Sequence, residues 1–337
     1  MKISTGLPLT HTAFAHWHTD DTEVGIVVAK AAFTLSADGT LPQQPPPELT
    51  LVDTYEGDPA FTPLVQEQDI APSKPKTDVI IRGTARSFEG KPRRDWPVSI
   101  AIPDVLTYGF HVRGPSFWRK HLRRWQLTQP DAVTEVPLTY ALAYGGQCAL
   151  GDETQFFEQN LSGQGFMTED AARDVDEWAA PQIGLLAEFM AAKPFDPMTL
   201  CGTLPIAKSW LPRRSLAGTF DAAWEQDRHP RMPMDYQLAF WNAAPLRLQV
   251  APYLQGDEAI EITGMSRTRA TVNLRLPGAK LALKSAITGD VTQMVLDTVD
   301  IDVTHIDDGA ATLTLIWRAM VAHREDYEAA EIIRGQS

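Results

Sequence analysis

The sequence predicts a mainly β protein: two antiparallel, sheet-rich lobes, sandwich- or barrel-like, joined by a long ordered loop region with few short helices. Three observations predict this. Apolar and polar residues alternate with period two in several short segments of the last third, as in strands with one buried face. Proline occurs 25 times in 337 residues, above the usual share of about 5%, and each proline removes a backbone donor and disfavours helix. Between about residues 147 and 235 no period is sustained, and long aperiodic stretches in a compact chain tend to carry function. These shifts set boundaries of 1–146 for a first lobe, 147–235 for the loop-rich region and 236–337 for a second lobe, all three within one domain.

The elements follow in order. Val24-Gly25-Ile26-Val27-Val28 is apolar on both faces and reads as a buried strand, with a turn at residues 36–40. Residues 41–49 hold too many prolines for a ladder and read as a surface excursion. In "DIAPSKPKTDVIIRGTA", residues 69–85, Pro72 and Pro75 bias the residues before them towards extended backbone. The stretch reads as a rigid ramp onto a strand at Asp78-Val79-Ile80-Ile81, ended or bulged at Arg82-Gly83-Thr84. Val98, Ile100 and Ile102 alternate, Pro103-Asp104 turns the chain, and residues 105–112 return as a hairpin partner. Residues 136–146 read as a further strand closed by Gly145 and Gly146. In the middle region, one helix starts near Pro181 with Ile183, Leu186 and Met190 at helical spacing. A second is capped by Asp221 and runs through Gln226. Alternation then returns at Val272, Leu274 and Leu276, at Val299, Ile301 and Val303, and at Leu313, Leu315 and Trp317. Asp297, Asp300 and Asp302 read as the solvent face of their strand, and a short helix from about Arg324 to Ile333 closes the chain.

Charge and composition exclude some functions. The net charge is −13, and a general nucleic-acid binder needs a basic surface to neutralise phosphate. Cys148 and Cys201 cannot make a disulfide framework. The first residues lack the apolar core of a secretory signal, and no stretch approaches 18 uncharged apolar residues, so the expectation is a cytoplasmic protein without membrane insertion.

Signals for catalysis or metal are weak. His11, His16 and His18 cluster near Asp20, and imidazoles two apart on a strand can ligate zinc or copper. No further ligand follows at suitable spacing, so no stoichiometric zinc and no cofactor are expected. Gly145-Gly146-Gln147 needs only turn geometry, Gly163-Gln164-Gly165 is neither a dinucleotide fingerprint nor a P-loop, and Asp257-Glu258 reads as strand entry. There is no G-x-S-x-G elbow and no H-E-x-x-H. Basic and aromatic residues, by contrast, cluster repeatedly: Arg113, Phe117, Trp118, Arg119, Lys120, Arg123, Arg124 and Trp125; then Lys208, Trp210, Arg213 and Arg214; then Arg228 and Arg231. Tryptophan and arginine dominate interface hot spots. The expected partner-binding residues are Trp118, Arg119, Lys74, Lys76, Trp210, Arg213 and Arg214, with Trp210 and Arg213 foremost. The bland alternative makes the tryptophans core and the arginines their paired neighbours, and lets Asp69 and Asp78 pair with the ramp lysines.

Five motifs in order carry a resemblance: "DIAPSKPKTDVIIRGTA", "YALAYGG", "NLSGQGF", "WLPRRSLAGTFDAAWEQDRHPRMPMDYQLAFWNAAP" and "LQGDEAIEITGM". Together they resemble the bacterial domain of unknown function 2169, over about residues 14–276. Members of that family are typically encoded beside the VgrG spike, PAAR-tip proteins and toxic effectors of the type VI secretion system. The resemblance implies a non-enzymatic adaptor or chaperone that binds an effector and assists its loading onto the PAAR–VgrG tip. The chain departs from the family pattern at Gly114-Pro115-Ser116-Phe117-Trp118, where Gly-Asp-Arg usually precedes the tryptophan. Two other classes stand beside this reading: a hydrolase or lyase with its site in the 147–235 loops, and a structural component of the secretion tip. An enzyme predicts a deep pocket with two perturbed titratable groups; an adaptor predicts an apolar groove or patch rimmed by charge.

Overall fold

Two sheets dominate the computed structural model, which describes residues 2–35, 43–122, 124–322 and 328–335. The larger has six strands in the order Gln249–Val250, Thr77–Arg82, Val295–His305, Ala310–Val321, Glu23–Leu35 and Thr10–Trp17. The other has five: Ile183–Gly184, Leu106–Arg113, Asp95–Ile102, Ala259–Thr263 and Thr271–Arg275. A four-strand sheet joins the two ends of the chain, in the order Lys2–Thr5, Ala329–Arg334, Leu281–Ser285 and Val291–Gln293. Among the described residues only two α-helices form, Leu186–Met190 and Ala222–Asp227. The mainly β reading holds, and among the described residues no sheet closes into a barrel.

Register explains the core. Val27, Ala29, Ala31 and Phe33 stand opposite Ala319, Trp317, Leu315 and Leu313, and Ile301 and Val299 stand opposite Ile81 and Val79. Opposed residues share a face, so this face of the larger sheet is almost wholly apolar. It joins Val98, Ile100, Phe110, Val112, Ile260 and Ile262 of the five-strand sheet in one continuous core. Complete burial of such side chains contributes about 1.5–3 kcal/mol each. The second face of the larger sheet carries Lys30, Arg82, Asp300 and Arg318, and the chain over residues 47–75 straps across it.

Several expected elements differ. Each large sheet takes strands from both sides of the 146 and 236 boundaries, so those boundaries do not separate two independent sheets. Thr77–Arg82 pairs parallel with Val295–His305, and Lys2–Thr5 parallel with Ala329–Arg334, so the architecture is not wholly antiparallel. The strand expected over 136–146 splits into Glu135–Pro137 and Tyr144–Gly145, with a 3-10 helix at Tyr140–Leu142 between them. There the Thr139 hydroxyl accepts from the Ala141 amide, and the buried Tyr140 donates to the Leu204 carbonyl at 2.8 Å. Ile183 lies in a strand opposite Val112, and the helix begins only at Leu186. The expected terminal helix is a strand at Ala329–Arg334, burying Ala330 and Ile332 on either side of exposed Glu331. Six residues are too few for periodicity to separate the two states. Residues 324–327 and the turn at 36–40 lie outside the described residues.

Candidate functional site

The ramp delivers its charges inwards. Lys74 Nζ lies 3.1 Å from Glu67 Oε2 and 3.0 Å from Asp78 Oδ2. Arg213 donates to Glu67 Oε1 at 2.5 Å and to the carbonyls of Ile206 and Phe240. The carboxylate of Asp78 also accepts from Asn242 Nδ2 at 3.0 Å and from the Ala243 amide at 2.8 Å. Beside this cluster, Lys30 pairs with Asp69 at 2.8 Å and Arg318 with Asp297 at 2.5 Å, and Arg318 donates to the carbonyls of Asp69 and Ala71. Burial alone would push the Glu67 carboxyl up; Arg213, Lys74 and Lys208 overcome it and hold it at about 2. Burial would lower Lys74, yet Glu67 and Asp78 hold it well above the usual lysine range. Burial raises Asp78, and Lys74 only partly offsets this. Every charge in the cluster has a partner, which is what an interior charge needs to persist.

This corrects several expectations. Lys74, Arg213, Trp210 and Trp118 are interior, so as folded they offer a partner almost no surface. Trp210 is wholly buried against Tyr140, with ring centroids 5.9 Å apart. Asp297 is wholly buried and Asp300 pairs with Arg82, because the 47–75 strap covers the face expected to meet solvent. Asp78 pairs with Lys74 as the bland alternative had it, while Asp69 takes Lys30 instead. Lys76 is half-buried; Arg119 and Arg214 are exposed and paired with Glu177 and Glu158. Glu67 and Lys30 escaped sequence reasoning, since nothing in their local periodicity marks an ion pair across the fold.

Glycine and acid motifs serve the backbone. A Cβ on Gly146 would meet the Gly163 carbonyl at 2.3 Å, so "YGG" and "SGQG" cross at a distance only glycine permits. Asn160 Nδ2 ties the crossing by donating to the carbonyls of Tyr140 and Tyr144. Glu258 accepts from the amides of Gln255 and Gly256 before its strand, the strand-entry role expected.

An apolar groove opens beside these motifs. Its volume is about 510 Å³, and Leu185, Met198, Leu200, Ile206, Leu211 and Leu246 line it together with Glu188 and Arg247. Leu246 is 66% exposed, and Met190, on the adjoining helix, is 80% exposed. The groove also holds Tyr108 and Cys201. Burial pushes the Cys201 thiol up to about 11 and the Tyr108 hydroxyl above its usual range, so both stay protonated near neutral pH. A protonated thiol is a poor nucleophile. The arrangement suits apolar side chains flanked by one acidic and one basic group.

A second exposed feature is the hairpin Phe117–His121 with Arg124–Leu127, joined on its other side by Glu177–Ala179. Trp178 anchors it, edge-on to Trp125 at 4.3 Å and stacked on Trp118 and Phe195. At the turn Leu122 is 86% exposed. Lys120 lies 5.5 Å from the Trp125 ring centroid, and among the described residues neither Lys120 nor Arg124 has a carboxylate within ion-pair distance.

The histidine trio divides. His11 Nε2 is 3.0 Å from the Ile3 carbonyl oxygen, whereas the rings of His16 and His18 stand edge to face, 6.0 Å between centroids. His18 Nε2 is 3.2 Å from Met320 Sδ, a neighbour 302 residues away.

With this geometry in view, the chain matches over residues 20–318 the family described as "Uncharacterized protein conserved in bacteria (DUF2169)". That span is most of the chain, which therefore belongs to this family. Comparison with curated proteins and with solved structures returned no match.

Proposed function

We propose that the chain is a non-enzymatic adaptor or chaperone that binds a type VI secretion effector in the cytoplasm and assists its loading onto the PAAR–VgrG spike. The observation that carries this reading is the preformed apolar groove with Glu188 and Arg247 among its lining residues, next to exposed Leu186 and Met190. Exposed apolar side chains beside a concave surface are the usual mark of a docking site. The basic hairpin supports it further, since Lys120 and Arg124 are exposed cations on an acidic chain and suit acidic groups on a partner. The Cys201 thiol and the Tyr108 hydroxyl in the groove stay protonated, which favours a binding role over nucleophilic attack by either.

The test is calorimetric titration with type VI effector, PAAR and VgrG proteins from the same bacterium. Leu246→Asp and the double variant Lys120→Glu, Arg124→Glu are each expected to lose about 2 kcal/mol, some thirtyfold in affinity. All three residues are exposed, so the melting temperature should stay at the wild-type value. Wild-type affinity in both variants would remove the groove and the hairpin as the interface. Turnover of a substrate by the isolated protein would favour the hydrolase or lyase reading instead.

A further inference from the structure

We propose that His16, His18 and Met320, with Met232 close by, form a site for copper(I). Three distant parts of the chain bring these donors together. Phe14 stands opposite Ile26 and Ile26 opposite Met320, so these residues share one face of the larger sheet. His16 lies two residues beyond Phe14 and therefore projects to that same face. His18 follows just past the strand end and reaches Met320 Sδ. Met232 comes from the loop after the helix Ala222–Asp227, and with His16, Trp17, His18 and Tyr236 it lines a cavity of about 60 Å³; Met320 is not in that lining and adjoins it through His18. That volume suits a single ion and excludes an organic ligand, whose pockets run to roughly 300 Å³ or more.

The donor set decides which ion. Thioether sulfur is a soft ligand that selects copper(I), and imidazole suits copper as well, whereas hard cations require carboxylate or carbonyl oxygen. The carboxylates of Asp20 and Asp21 are committed elsewhere: Asp20 accepts from Thr22, and Asp21 pairs with Arg228 and Arg231. Distance agrees with chelation. Taking the zinc–imidazole distance of about 2.0 Å and the zinc–thiolate distance of about 2.3 Å as a guide, ligand angles of roughly 90–120° separate the two donors by about 3.0–3.7 Å. His18 Nε2 and Met320 Sδ are 3.2 Å apart. A hydrogen bond from the imidazole to sulfur would also fit this distance, and the experiment separates the two. The inference is independent of the adaptor reading.

The full-length protein is titrated anaerobically with copper(I) under reducing conditions, using bicinchoninate as the competing chromophoric ligand. The expected result is one copper(I) per chain, weakened at least tenfold in both His18→Ala and Met320→Leu. Neither side chain is buried, so circular dichroism and melting temperature should match wild type. No copper(I) taken from the competitor by the wild-type protein overturns the proposal. So does binding that persists unchanged in both variants, as ligation by the buried Cys148 or Cys201 would give. Loss in His18→Ala with unchanged binding in Met320→Leu means imidazole ligation without the thioether, and overturns it too.

Discussion

Glu67 has no periodic neighbours and no motif around it, yet it receives both Lys74 and Arg213. Charge on the ramp was legible in the sequence; its direction was not, because Arg213 lies 146 residues further along the chain. The cations buried with it make Glu67 a pH reporter. The carboxyl falls from an ordinary 4.5 to about 2 in the folded protein. A depressed carboxyl stabilises the fold fully above its unfolded pKa and loses that contribution as pH falls through the folded value. Asp78, raised by burial, works in the opposite sense and gains stability as pH falls. The wild-type melting temperature should therefore fall more steeply between pH 4.5 and 2 than that of Glu67→Gln, which lacks the depressed group. Parallel curves for the two proteins would remove Glu67 from the acid response.

Among elements, those with long apolar alternation were legible and the short ones were not. The hairpin over 95–113 and the paired strands over 295–321 could be read from side-chain period alone. The 3-10 turn at Tyr140–Leu142 depends on Leu204 accepting the Tyr140 hydroxyl, a tertiary contact that no local pattern encodes. The helix Ala222–Asp227 shows the opposite case, because its cap is local. Asp221 Oδ1 accepts from the Trp224 amide at 2.9 Å, as the sequence suggested. Replacing it in Asp221→Ala should cost about 1 kcal/mol, mostly by fraying this exposed element. Hydrogen exchange should speed up at the amides of Trp224 and Glu225 and stay unchanged in the Val295–His305 strand. Faster exchange in both places would mean that the helix supports the whole fold.

For the whole molecule, the mainly β class was visible in proline content and alternation, but the partition into lobes was not. Strand partners lie too far apart in sequence for composition shifts to reveal them: Arg82 pairs with Asp300 across 218 residues. Fragments ending at residue 146 or 235 would contain Thr77–Arg82 without Val295–His305, and should show no cooperative unfolding transition. The full chain should show a single one, by fluorescence and circular dichroism alike. A fragment that folds cooperatively would show that a lobe is an independent unit. The interleaved sheet also bears on synthesis. At roughly 5–20 residues per second, a ribosome takes on the order of ten to forty seconds to progress from one partner strand to the other. Throughout that interval the apolar run Val79-Ile80-Ile81 has left the ribosome with no sheet to enter. Such runs aggregate when exposed, so a protein proposed to shelter another chain is, while being translated, itself in need of shelter.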